Sequence, residues 1–208
     1  LASFRDSWLL QRGYPKLTYE GTWNRENSTY ELKLTQTPNH ETDKSVFVFK
    51  LPVVFHRRES PVYSKEITVK MDKASQTLSV ELPAEPLWIS INPGSVVLGK
   101  MIQKKRDERI LALQATQDPD PVIRIWASFE LASALDERKT LSTLSENTLA
   151  KVLESDRSAY VRNAVLQFFQ RTKSAMLPEM ISGKILSLAK SPVVKVASDK
   201  HGWPQFRS

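Results

Sequence analysis

The sequence predicts a multidomain chain, β then α: an antiparallel β-sandwich followed by an α-solenoid of paired helices. Three observations predict it. Apolar and polar residues alternate at period two from about residue 16 to residue 92, with no helical stretch between. From Met101 onward apolar residues recur at three and four instead. Within that second half a short pattern returns at Arg124, Arg162 and Lys195: a polar start, an apolar residue, a basic residue, then Ala.

The strands come in order. "KLTYEGTWN" (16–24) and "STYELKLTQT" (28–37) are rich in Thr, Tyr and Leu and meet at the turn-forming "NREN", which predicts a hairpin. Leu32 and Leu34 share a face with Tyr30, while Glu31, Lys33 and Thr35 take the other, the pattern of a sheet covered on one side. "SVFVFKLPVVFH" (45–56) is a longer apolar strand containing Pro52, whose missing N–H implies an edge, a bulge or a crossing between sheets. "KEITVKM" and "TLSVEL", separated by "DKASQ", predict a second hairpin with Ile67, Val69 and Met71 facing Leu78, Val80 and Leu82. "PLWISIN" (86–92) supplies the last strand, closed by the turn Asn92-Pro93-Gly94. About seven short strands without an intervening helix indicate a sandwich.

The helical half predicts helices over 103–117, 120–135, 142–154, 158–171, 177–190 and 192–200. "DPDPVIRIWASFELASAL" aligns with "ESDRSAYVRNAVLQFF" and more loosely with "AKSPVVKVASDK". Ala127, Ala164 and Ala197 permit close helix approach. This spacing fits stacked helix pairs of the HEAT or armadillo kind, each burying its apolar face against its neighbours. An irregular bundle of six helices is the competing reading.

Composition narrows the chemistry. The formal charge is +7, yet the densest basic spots, His56-Arg57-Arg58 and Lys104-Lys105-Arg106, are each followed by acid, and no aromatic platform or recognition motif accompanies them. They read as solvated faces, and nucleic acid is not an expected partner. The absence of cysteine excludes disulfides and thiolate zinc sites. No apolar run approaches the roughly 18 residues of a membrane span, so no membrane partner is expected. The compartment is not legible, a cytoplasmic one being favoured. Arg124, Arg162 and Lys195 either line a ridge that holds an acidic partner or pair with acids of their own or the next repeat, such as Asp120 or Asp156; the second reading is preferred. Asp118 with Asp120, and Glu154 with Asp156, are read as helix caps rather than catalytic dyads.

The order Trp8, Gln11, Gly13, Tyr14, Pro15 in "WLLQRGYP", followed at once by a strand, resembles the junction in the M1 family of zinc aminopeptidases where the catalytic domain ends and a β-sandwich begins. There Gly-Tyr-Pro makes the corner: Gly13 takes a backbone angle closed to other residues, and Pro15 fixes its own. Pro86, Trp88, Asn92, Pro93, Gly94 and Leu98 resemble the end of that sandwich in the bacterial branch. The resemblance implies that residues 1–13 end a preceding catalytic domain, 14–100 form the sandwich and 101–208 the helical repeats. It implies too that the N-terminus is a cut through a longer chain, with that domain as first partner, peptides as substrates of the parent, and oligomerisation as possible.

The residues that carry M1 chemistry are missing from this sequence. It has neither the H-E-x-x-H zinc helix nor the Gly-x-Met-Glu-Asn-type strand. His40, His56 and His201 stand far apart, none with a second His at helical spacing; "HRRE" at 56–59 is not the motif. His56 is read as a surface or hydrogen-bonded histidine. The sequence therefore assigns no catalytic, cofactor or metal residue to this chain, expects it to be inactive alone, and places zinc in the full-length parent. The function it implies is the non-catalytic C-terminal region of an M1-type aminopeptidase, supporting and capping the peptidase chamber and limiting access. The alternative is an aminopeptidase-like scaffold subunit of a transcription-factor complex. Trp203 and Phe206 are expected to dock on the last repeat.

Overall fold

The computed structural model describes residues 5–6, 8–10, 12–38, 46–57, 63–105, 107–135, 140–171 and 178–189. Among these, strands precede helices, and the chain divides into two compact units after Gln114.

The first unit holds seven described strands: β1 (Pro15–Asn24), β2 (Thr29–Pro38), β3 (Phe49–Arg57), β4 (Tyr63–Met71), β5 (Ser75–Glu81), β6 (Trp88–Ile91) and β7 (Lys100–Gln103). They form a four-stranded sheet in the order β5-β2-β1-β7 and a three-stranded sheet in the order β4-β3-β6. The β1–β2 hairpin runs from Pro15 opposite Pro38 to Asn24 opposite Thr29, as the alternation and the "NREN" turn predict. One buried cluster takes side chains from both sheets, Leu17, Tyr19, Leu32 and Leu34 from the first and Leu51, Val53, Phe55, Val69 and Met71 from the second. Each such side chain contributes about 1.5–3 kcal/mol on burial, which fixes register, because a one-residue slip would turn the apolar set outward.

Three expectations are corrected. The second hairpin does not form: β4 pairs with β3 and β5 pairs with β2, so the two strands lie in different sheets. Alternation specifies which face a strand buries and is silent on its neighbour, and Val69, Met71, Val80 and Leu82 do share the core. Pro52 occupies the central strand of the smaller sheet rather than an edge. It sits where β6 stops: Asn92 N–H donates to the Pro52 carbonyl at 2.9 Å, and the Asn92 carbonyl accepts from Ser95 N–H at 3.0 Å. No ladder donor is required of the proline there. Finally, the helix expected from 103 begins at Glu108, and residues 100–103, at the expected change of period, form a strand that pairs parallel to β1 from Lys16 opposite Lys100 to Tyr19 opposite Gln103. Four residues are too few to show a period, and Gly99 permits the approach, since a Cβ there would stand 2.9 Å from the Pro15 carbonyl oxygen.

The opening junction packs on this unit. Gly13 has φ +85°, in the left-handed region that favours glycine. Trp8 donates its indole N–H to the Val48 carbonyl at 3.0 Å and meets the rings of Phe47 and Phe49 edge-on at 5.2 and 6.1 Å. Beside it Leu9 and Leu10 are exposed.

Five described helices follow: α1 (Glu108–Gln117), α2 (Pro121–Ala132), α3 (Thr143–Ser155), α4 (Ala159–Arg171) and α5 (Glu179–Ala189). Asp107 opens α1, its Oδ1 accepting from the N–H groups of Arg109 and Ile110. Asp120 caps α2 with Pro121 in the first turn, and Ser142 caps α3. In the second unit, α3 packs on α2, α4 and α5, and α2 on α4. Ile123, Ala127, Leu131, Leu149, Leu153, Val161, Val165, Phe169 and Ile181 are buried, and Phe129 stacks on Phe168 at 5.1 Å. No described helix is long and apolar enough to cross a membrane. The helix expected over 192–200, with Lys195, Ala197, Trp203 and Phe206, lies outside the described residues.

Candidate functional site

Two places gather polar chemistry. The first is buried in the helical unit. Arg124, only 2% exposed, forms a two-pronged ion pair with Asp156, Nε to Oδ2 at 2.8 Å and Nη2 to Oδ1 at 3.0 Å. Its Nη1 donates to the carbonyls of Asp118 and Pro119 at 2.8 and 3.1 Å, so four of the five guanidinium N–H groups are engaged. Asp156 also accepts from Ser158 N–H at 2.7 Å and thereby ties the end of α3 to the start of α4. Arg124 is thus held by Asp156, the pairing that the sequence preferred to an external acidic partner.

The local bonding repeats as the sequence does. Asp118 Oδ1 accepts from the N–H of Asp120, and Asp156 Oδ1 from that of Ser158. Arg124 Nη1 reaches back to the Asp118 carbonyl, and Arg162 Nη1 to the Asp156 carbonyl. Arg157, which sequence reasoning passed over, adds a further hydrogen bond to the Asp118 carbonyl at 2.8 Å. Its acidic neighbour Asp156 aligns with Asp118, a signal that a register-by-register comparison of the two segments carries. Glu154 corrects an expectation: it lies in the last turn of α3 rather than at a helix start, and pairs with Lys184 at 2.5 Å. The Lys184 ammonium offsets a carboxylate placed at the negative end of the helix dipole.

The second place is a cavity of about 200 Å³ in the first unit, with Trp23, Tyr30, Glu85, Trp88, Lys105 and Gln114 in its walls. His56 is buried in β3, its Nε2 2.8 Å from Ser90 Oγ and its ring stacked on Trp88 at 4.7 Å. It is the hydrogen-bonded histidine of the two readings, and not a surface one. Tyr30 lies over Gly21, where a Cβ would stand 2.2 Å from the phenol oxygen. Burial, with the Glu85 carboxylate adding to it, pushes the Tyr30 phenol up to about 12. Gln114 donates Nε2 to the Ile89 carbonyl at 2.9 Å, while its buried Oε1 has no hydrogen-bond partner among the described residues. These wall residues span much of the first unit's sequence, so no local motif announces them.

No described residues group three or more His, Asp or Glu as a metal ion would require. His40 and His201 lie outside the described residues. Just beyond the strands, Asn92 (φ 58°) holds a tight loop, its side chain bonding the Val97 carbonyl at 2.8 Å and the Val97 N–H at 2.9 Å. This is the Asn-Pro-Gly turn singled out in the sequence, and it leaves Val96 and Leu98 exposed.

The fold is similar to part of an aminopeptidase. One similar structure is Legionella pneumophila aminopeptidase A in complex with aspartic acid, with a TM-score of 0.62 and 16% identity. The likeness covers 96% of this chain and 24% of the Legionella chain, so the present sequence spans about a quarter of that protein. At this identity it shows an aminopeptidase-like fold. No family model and no curated protein matches the chain.

Proposed function

We propose that this chain is the non-catalytic C-terminal region of an M1-type zinc metalloaminopeptidase, a β-sandwich (14–100) joined to a solenoid of HEAT-like helix pairs (101–208) that supports and caps the peptidase chamber and limits substrate access. The observation that carries the reading is the length over which the likeness runs: nearly the whole chain follows a fraction of an aminopeptidase. Two features support it. The Trp8 to Pro15 junction folds with Gly13 at the angle its place requires, and the Asp118/Arg124 arrangement returns at Asp156/Arg162 as a helix-pair repeat demands.

This reading assigns zinc to no residue of the present chain. His56 spends its ring on Ser90 and Trp88, and no described trio of ligands stands near it. The proposal places the metal in the preceding catalytic domain of the parent, and no chemical step is assigned to the residues of this chain. What they supply is shape, in a unit of sheets and a set of paired helices.

Incubating the purified 208-residue chain with an aminoacyl fluorogenic substrate tests this. No chelator-sensitive turnover is expected, and turnover abolished by chelator would overturn the assignment. Sequencing the coding region before Leu1 separates the enzyme from the scaffold subunit: an intact H-E-x-x-H supports the peptidase, and a degraded one the scaffold.

A further inference from the structure

Exposed apolar side chains scattered one by one are ordinary, but four of them gather at one end of the first unit. Val96 and Leu98 are 71% and 77% exposed, and Leu9 and Leu10 are 69% and 71% exposed. The two pairs share that end because Gly99 lies against the Pro15 backbone and Trp8 packs on the core cluster that contains Val97. The loop that carries Val96 and Leu98 is held in a fixed shape. Asn92, Gly94 and Ser95 all have positive φ, at 58°, 72° and 51°, and the Asn92 side chain bonds both the N–H and the carbonyl of Val97. Val97 is buried while its two neighbours stand out in solvent. Non-glycine residues in the left-handed region persist only where their surroundings enforce them, and a loop fixed in advance loses little entropy when a partner covers it.

Charge and chain direction point to the occupant. Lys50, Lys73 and Lys100 are exposed at the same end, with Lys16 opposite Lys100 in the β1–β7 pair. Lys73 is placed there by Gln36, which donates to the carbonyls of Lys73 and Phe47. Asp6 and Asp72, the carboxylates in these stretches, are taken up by Arg5 and Lys70. The face is apolar with a basic rim, so its complement is an apolar hollow with an acidic rim. Leu9 and Leu10 belong both to this face and to the segment that leads into β1, so a domain joined to that segment meets the face at high effective concentration. The likeness to the Legionella chain leaves about three quarters of that chain unmatched, which allows for such a domain. We propose that Leu9, Leu10, Val96 and Leu98 form the docking face for a domain preceding Leu1, seated in an acid-rimmed apolar hollow of that domain. This inference rests on the reading that a catalytic domain precedes the chain, and it specifies where that domain sits.

Maleimide labelling of Leu98→Cys tests it, with the rate followed by mass spectrometry of the peptide that contains residue 98. The full-length parent is compared with the 208-residue chain, which has no cysteine of its own. Glu26→Cys, exposed in the β1–β2 turn at the opposite end, is the control. Leu98→Cys is expected to react about tenfold or more slowly in the parent than in the 208-residue chain, and Glu26→Cys equally fast in both. Equal rates for Leu98→Cys, or the same slowing at both positions, would overturn the docking face. Protection already present in the shorter chain that fades on dilution would overturn it in favour of a second copy. Protection that the parent gains only on addition of phosphatidylserine vesicles would overturn it in favour of a lipid surface. Zinc content of the same parent is read separately. A zinc-free parent that protects Leu98→Cys contradicts the peptidase reading and leaves the docking face standing, whereas a zinc-bearing parent in which Leu98→Cys stays reactive does the reverse.

Discussion

Tyr30 and Arg124 show how single side chains set conditions on this chain. The Tyr30 phenol is held neutral by burial up to about 12, against an ordinary value of 10.0. Because the raised value belongs to the folded state, its stabilising effect is complete below pH 10 and is lost as pH rises toward 12. A rise of that size corresponds to about 2–3 kcal/mol. Urea unfolding followed from pH 9 to pH 12 should therefore show a steep alkaline loss of stability in the wild type and a shallower one in Tyr30→Phe. Arg124→Met is expected to destabilise the helical unit by about 3–5 kcal/mol, because Asp156 is left buried and unpaired. Adding Asp156→Leu should recover much of that loss, whereas a purely additive result would mean that the pair is not coupled. The pairing was legible because Asp118 aligns with Asp156 and Arg124 with Arg162 in the two similar segments, which offered Asp156 as an acid for Arg124. The cavity was not, since its residues are adjacent only after both sheets have formed.

At the level of elements, period two and period three-to-four located most strands and helices, and the cap residue Asp120 located a helix start. Asp120→Ala should cost about 1 kcal/mol, read as a lower unfolding midpoint in denaturant. What periodicity could not deliver was partnership. The exchange of β4 and β5 between sheets follows from which strands meet after burial, and the alternating residues are the same in either pairing. The parallel strand β7 was hidden because Lys100-Met101-Ile102-Gln103 abuts a helical pattern and is only four residues long. Its pairing depends on the absence of a side chain at Gly99. Gly99→Ala is expected to cost about 1–3 kcal/mol as the added methyl presses on the Pro15 backbone, and to speed amide exchange at β7 before the rest of the sheet. Uniform protection across β7 in that variant would show that the contact is not limiting.

On the scale of the whole molecule, the change of period near Met101 gave the β-then-α order, while the division of the described residues falls after Gln114. The offset arises because β7 returns to the first sheet and α1 begins before the chain leaves that unit, its Gln114 bonded to the Ile89 carbonyl. Each unit has its own core, so Arg124→Met should accelerate hydrogen exchange through α2 to α4 and leave β1 to β6 protected; equal loss in both units would mean that they unfold together. The junction was legible as a distinct motif, and there Gly13 takes a positive φ and Trp8 anchors the backbone to the core.

The most direct measurement compares the full-length parent protein with a version lacking the helical unit from Ala115 onward. Zinc content and turnover of aminoacyl substrates of increasing length are read side by side. Both proteins are expected to hold zinc and release N-terminal residues, with the truncated one accepting substrates that the intact enzyme excludes. A full-length protein without zinc and without turnover, or a truncation that leaves the length preference unchanged, would contradict the capping role.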